Sequence, residues 1–120
     1  MSEAKIWSLP EVAEQEPISS DEKVKRTLLA EGKDFTAFLL QAQPNQKPYL
    51  HVHENHDELV YIIEGEGEFI LGDTTKRAKP GDLLYFPKGV VHGPNLLVKG
   101  VRLSIYIPHF DPNNPDRKEV

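Results

Sequence analysis

The chain has 120 residues, with 14 Lys and Arg against 19 Asp and Glu, and so a formal charge of −5. That length suits one domain with a single modest core and excludes separate cofactor and substrate lobes. The acidic balance lacks the basic footprint of a nucleic-acid binder and has no pull toward anionic lipid; with no cysteine, disulfides, thiolate metal sites and cysteine nucleophiles are excluded too.

Residues 1–20 read as an N-terminal arm. Within it, Ser8 to Gln15 is a helix of a turn or two, with Ser8 as N-cap and Pro10 near the first turn. Ile6 and Trp7 are placed on an edge strand. The first thirty residues hold no apolar run of signal-peptide length, and no stretch approaches a membrane span, so a cytoplasmic protein is expected.

From residue 21 to 110 the chain reads as one β domain. Val24 to Ala30 and Phe35 to Gln41 form two strands around a turn at Glu31-Gly32-Lys33-Asp34. Leu59 to Ile63, Phe69 to Leu71, Leu83 to Phe86 and Val101 to Ile107 follow as short apolar runs bounded by Gly, Pro or Asp. Each is too short for a typical helix, and the spacing suits a β-sandwich or barrel. Leu71-Gly72-Asp73-Thr74 carries a tight-hairpin signal. Residues 111–120, with Pro112 and Pro115 among charges, read as an extended, solvent-facing tail.

Chemistry concentrates in Tyr49 to Glu58, which holds three of the five histidines and three acids. On a strand, the period of two turns His51 and His53 to one face, where two imidazoles can reach one ion. Glu58 follows a polar turn and alternates with Val60 and Ile62, so its carboxylate shares a face with two aliphatic residues. A buried carboxylate there needs a partner or a metal. His92 lies in an apolar run after the Pro87-Lys88-Gly89 turn and faces inward, either as a satisfied core residue or as a fourth donor. A donor set of His51, His53, Glu58 and His92 suits iron, manganese, nickel, cobalt, zinc or copper.

Several weaker signals carry bland readings. His56 reads as a solvated turn residue, with an outer partner of the site or a pocket acid or base as the alternatives. Tyr61, Tyr85 and Phe86 read as wall or core, and His109 as surface. Gly65-Glu66-Gly67 lacks the third glycine and the helix of a nucleotide loop, and no Gly-x-Ser-x-Gly frames a serine nucleophile.

Taken together, the two segments resemble the cupin superfamily. The first motif of that family, His-x-His, four residues, Glu, six residues, Gly, falls on His51, His53, Glu58 and Gly65. The second, Gly, five residues, Pro-x-Gly, two residues, His, falls on Gly81, Pro87, Gly89 and His92. Two positions depart: Asn45 stands where a glycine is usual, and the asparagine after the last histidine comes one position early, at Asn95. The resemblance implies an all-β, antiparallel jelly-roll barrel holding one divalent transition metal by His51, His53, Glu58 and His92, and a homodimer. It also implies a small-molecule substrate and an enzyme of dioxygenase, isomerase or lyase type; the alternative is a non-catalytic ligand or metal sensor. Gly65 and Gly89 have an account of their own, as sites where a short strand reverses and positive φ is needed.

Overall fold

The computed structural model describes residues 3–45 and 47–120. The described residues form one helix, α1 (Leu9–Gln15), and ten strands: β1 (Val24–Glu31), β2 (Thr36–Ala42), β3 (His51–Val52), β4 (Asp57–Glu64), β5 (Gly67–Leu71), β6 (Thr74–Ala78), β7 (Leu83–Phe86), β8 (His92–Leu96), β9 (Gly100–Ile107) and β10 (Lys118–Glu119). They pair antiparallel into two five-stranded sheets, ordered β1-β2-β9-β4-β7 and β10-β3-β8-β5-β6, which face each other as a jelly roll. No helix among the described residues is long and apolar enough to cross a membrane.

The first sheet follows its hydrophobic alternation. Along β4, Glu58, Val60 and Ile62 are buried while Tyr61 and Glu64 are exposed. Register then carries that inner face across neighbouring strands: Glu58 pairs with Tyr106 and Phe86, Val60 with Ser104 and Leu84, and Ile62 with Arg102. Leu40, Val60, Ile62 and Leu84 meet Phe69, Ala78 and Leu96 of the second sheet in the main core. Each such fully buried side chain contributes roughly 1.5–3 kcal/mol. At one end of the sandwich Phe38, Tyr106 and Phe110 form a second cluster, with Tyr106 stacked on Phe110 at a centroid distance of 4.1 Å.

The helix begins beside Ser8 as expected, although the Ser8 side chain makes no capping hydrogen bond. It is pinned through Gln41, a fully buried side chain on the outer face of β2 that accepts from the Ile18 amide at 3.2 Å and donates to the Glu16 carbonyl at 2.8 Å. The expected edge strand at Ile6-Trp7 does not form: Ile6 is 96% exposed, and although β1 offers an open sheet edge, this stretch makes no ladder pairing with it before the helix starts at Leu9. Gly65 and Gly89 take φ of +81° and +83°, the left-handed conformation their turns require.

Candidate metal centre

The two sheets supply different parts of the site. His51 on β3 pairs directly with His92 on β8, so register alone sets these two imidazoles side by side, 4.3 Å between centroids. His53 lies just beyond the end of β3, its ring 4.9 Å from that of His51 and 5.1 Å from that of His92. Glu58 comes from β4 of the opposite sheet. One ligand atom from each of these four residues lies within 4.8 Å of all the others. The four residues singled out by spacing are therefore brought to one point.

Ring orientation is fixed from behind. A backbone carbonyl can only accept, so each imidazole donates from Nδ1: His51 to Tyr49 at 2.8 Å, His53 to Asp116 at 2.6 Å, and His92 to Val90 at 3.0 Å. In the neutral ring this leaves Nε2 as a lone pair, and in His92 and His53 it points at Glu58 Oε1, 3.2 and 3.4 Å away. Lone pairs turned toward a carboxylate oxygen repel unless a proton or a cation stands between them. His53 Nε2 is buried and has no hydrogen-bond partner among the described residues, an orphaned lone pair of the kind a metal ion would satisfy. Carbonyl-oriented imidazoles plus one carboxylate are a donor set that fits a divalent transition metal.

Electrostatics agree with the geometry. Burial pushes the Glu58 carboxyl up, but the imidazoles of His53 and His92 beside it and the Ser104 hydroxyl, which donates to it at 2.5 Å, outweigh that and hold the group well below the usual carboxylate range. Burial pushes the His51 imidazole down to about 3, against the weaker opposing pull of the Tyr49 carbonyl. Its ring is thus neutral, as a ligand must be. Burial, then the nearby Glu58 charge, pushes the Tyr106 hydroxyl up, so it stays a protonated donor at the cavity wall.

Beside the cluster lies a cavity of about 50 Å³, lined by His51, Glu58 and His92 and walled by Val60, Phe69, Phe86 and Tyr106. That is room for a few waters or the arm of a small ligand. Phe86, expected as wall or core, stacks on His92 at 4.1 Å with 10° between planes. Tyr61 and Tyr85 instead face outward and are exposed.

Two features escaped the sequence reading, and a third, His56, stood there only as the alternative. The tail is exposed but not free: β10 pairs with β3, and the Asp116 carboxylate accepts from the amides of Glu54 and Asn55 at 3.2 and 2.7 Å. His56 is not a solvated turn residue; it sits 2.7 Å from that carboxylate through Nδ1 and 2.8 Å from the His109 carbonyl through Nε2. Asn45, at the position usually taken by glycine, is buried and clamps its loop to β8, accepting from the Leu96 amide at 2.8 Å and donating to the Pro94 carbonyl at 3.0 Å. Asn45 carried a signal as a departure from the motif, and His56 through its place between His53 and Glu58; a lone Asp116 in a charged, proline-flanked tail has none.

A jelly roll with histidines on one sheet and a glutamate on the other, meeting inside, defines a class of small β proteins built around an internal ligand-binding centre. The cupin-domain model matches residues 38–99, a little over half of the chain, and the chain belongs to the cupin family. A relative from Aquifex aeolicus (strain VF5), an uncharacterized protein, is 31% identical over 102 residues, covering 84% of this chain and 83% of that one. An uncharacterized conserved protein with a double-stranded beta-helix domain from Klebsiella pneumoniae matches in structure with a TM-score of 0.76 and 24% identity, over 98% of both chains. Ectoine synthase from P. lautus matches with a TM-score of 0.73 at 17% identity, over 98% of this chain and 90% of that one. At these identities the structural likenesses speak for the fold.

Proposed function

We propose that this cupin is a small-molecule metalloenzyme that holds one divalent transition metal by His51, His53, Glu58 and His92. The observation that carries the reading is the shared orientation of the three imidazoles, each donating from Nδ1 to a carbonyl so that the Nε2 lone pairs converge on Glu58. When bound, such an ion is a Lewis acid that lowers the pKa of a coordinated water or hydroxyl, and a redox-active one adds oxygenase chemistry. Ser104 fixes the Glu58 carboxylate, Phe86 fixes the His92 ring, and Tyr106 offers a hydroxyl proton to a ligand in the cavity. The apolar walls at Val60, Phe69 and Phe86 exclude bulk water, which strengthens every polar contact inside. A dioxygenase, isomerase or lyase acting on a small organic substrate fits these parts.

The same reading places the protein in the cytoplasm as a homodimer. The outer face of β4 and β7 supports the second part, since Tyr61, Leu83 and Tyr85 stand exposed together at 43%, 66% and 55%. Light scattering on the purified protein tests it, with a mass near twice 13.6 kDa expected.

Elemental analysis of untagged protein, purified without added metal or chelator, tests the metal. One transition metal per chain, lost in His51→Ala, is expected. Repeated absence, with no uptake of iron, manganese, nickel, cobalt, copper or zinc on titration, overturns the reading. Turnover is tested separately, by incubating loaded protein with candidate acids under air and following product.

A further inference from the structure

The cavity beside the four-donor cluster contains a charge pattern that the cluster does not use. Register places Arg26 of β1 opposite Leu40 of β2, Leu40 opposite Arg102 of β9, and Arg102 opposite Ile62 of β4. Leu40 and Ile62 are core residues, so this row is the inner face of the sheet, and both arginines line the cavity from it. Arg117 reaches the same cavity from the tail but is already paired with Glu119 at 3.2 Å.

Neither Arg26 nor Arg102 has a carboxylate within ion-pair distance among the described residues. Glu58, the acid that also lines this cavity, is taken up by His53, His92 and Ser104. Arg102 is half-buried, and a guanidinium turned toward a largely apolar interior is expensive unless an anion meets it; Arg26 is exposed and stands at the rim of the cavity. With Arg117 set against Glu119, Arg26 and Arg102 around the one carboxylate of Glu58 still reverse, locally, the sign of a chain whose formal charge is −5. The planar fork of an arginine matches a carboxylate through two parallel hydrogen bonds.

We infer that the substrate is a small carboxylic acid, its carboxylate held by Arg102 and Arg26 while its other end faces the His51–His53–Glu58–His92 cluster. The second half of that placement rests on the proposed metal centre; the first half does not. Arg102 supplies the fork from the inner wall, and Arg26 supplies a second cation from the edge strand at the open side. The two sit two strands apart with only Leu40 between them, so one anion can lie across both. An amide or alcohol of the same shape would leave both guanidinium groups unpaired.

Calorimetric titration of the full chain with succinate and with its neutral counterpart succinamide tests this, both as purified and after dialysis against chelator. Saturable succinate binding is expected, with succinamide weaker by about tenfold or more, the factor that loss of charge-assisted hydrogen bonds brings. Arg102→Met and Arg26→Gln should each weaken succinate by about tenfold while leaving succinamide unchanged, and Arg102→Lys should recover part of the loss. Arg26 stands on an exposed edge strand, so its variant decides the matter if Arg102→Met fails to fold. Equal binding of the two probes, no binding of succinate, or unchanged succinate affinity in the Arg26 variant overturns the inference. Discrimination that survives in chelated protein, alongside a failed metal analysis, upholds the arginine site and sinks only the metal reading.

Discussion

The two sheets share a core but are built on different principles. In the first, four of the five strands, β1, β2, β4 and β9, run seven or eight residues, and their inner faces carry most of the aliphatic core, broken by Glu58, Ser104 and the two arginines. In the second, no strand exceeds five residues, β6 reads Thr-Thr-Lys-Arg-Ala, and β3 and β10 are two residues each. The long-stranded sheet contributes one carboxylate to the site; the short-stranded sheet and the loop beside it contribute all three imidazoles. Stability and chemistry are thus largely divided between the layers, with Glu58 as the point of contact.

The sharpest way to break that division is to truncate each layer in turn. Leu40→Ala in the centre of the first sheet should remove about 2–5 kcal/mol of unfolding free energy, measured by urea denaturation of metal-free protein. His92→Ala in the second should lose much less than that while abolishing metal uptake; retained metal would move the site elsewhere. A core truncation no worse than the histidine variant would erase the distinction.

The tail offers a finer cut. Asp116→Ala removes the acceptor for two backbone amides and for His56, and should destabilise by about 1.5–3 kcal/mol. It should also weaken metal binding by up to about tenfold, because the tail loses the side-chain anchors that hold its residue-116 main-chain carbonyl, retained in the variant, against His53. Stability loss without a change in metal affinity would show that the tail only packs.

Acid should act on the short-stranded layer first. In metal-free protein the His51 ring is neutral down to about 3, whereas in the unfolded chain it takes up a proton from about 6.5 downward. The unfolded state therefore binds the extra proton in that interval, so stability is whole above about pH 6.5 and declines as pH falls toward 3. Glu58, held low in the folded state, adds to the same decline below its ordinary range of about 4.5. Thermal melts between pH 7 and 4 read the slope; a flat profile would contradict a neutral, buried His51. The smallest effect is expected from Lys76→Ala on exposed β6, within about 0.5 kcal/mol of the parent.

The same division explains what the sequence made legible. Strands β2, β4, β7 and β9 announce themselves because one face is buried against a core, and alternation or apolar runs follow from that. Strand β6 has a single buried residue, Ala78, and so no pattern to read; only the Gly72-Asp73 turn located it. Among the site residues, His51, His53 and Glu58 were legible because a strand period and a short turn fix their relative directions, and His92 was legible as a donor through the second motif of the cupin resemblance. Asp116 reaches the site from sixty-three residues beyond His53, through a strand of two residues, and no local pattern encodes such a return. Arg26 and Arg102 were silent for another reason. In sequence each looks like an ordinary strand charge, and only register across β2 shows that they share the inner face with Leu40.

That Glu58 stands on one sheet and the imidazoles on the other has a kinetic consequence. An ion held between them would be bridged across the layers, so a local parting of the sheets would loosen its donor set, and the buried amides of β2 can meet solvent deuterium only through openings of the same sandwich. Metal dissociation and slow amide exchange would then report a single gating motion, and a substitution that quickens one should quicken the other in proportion.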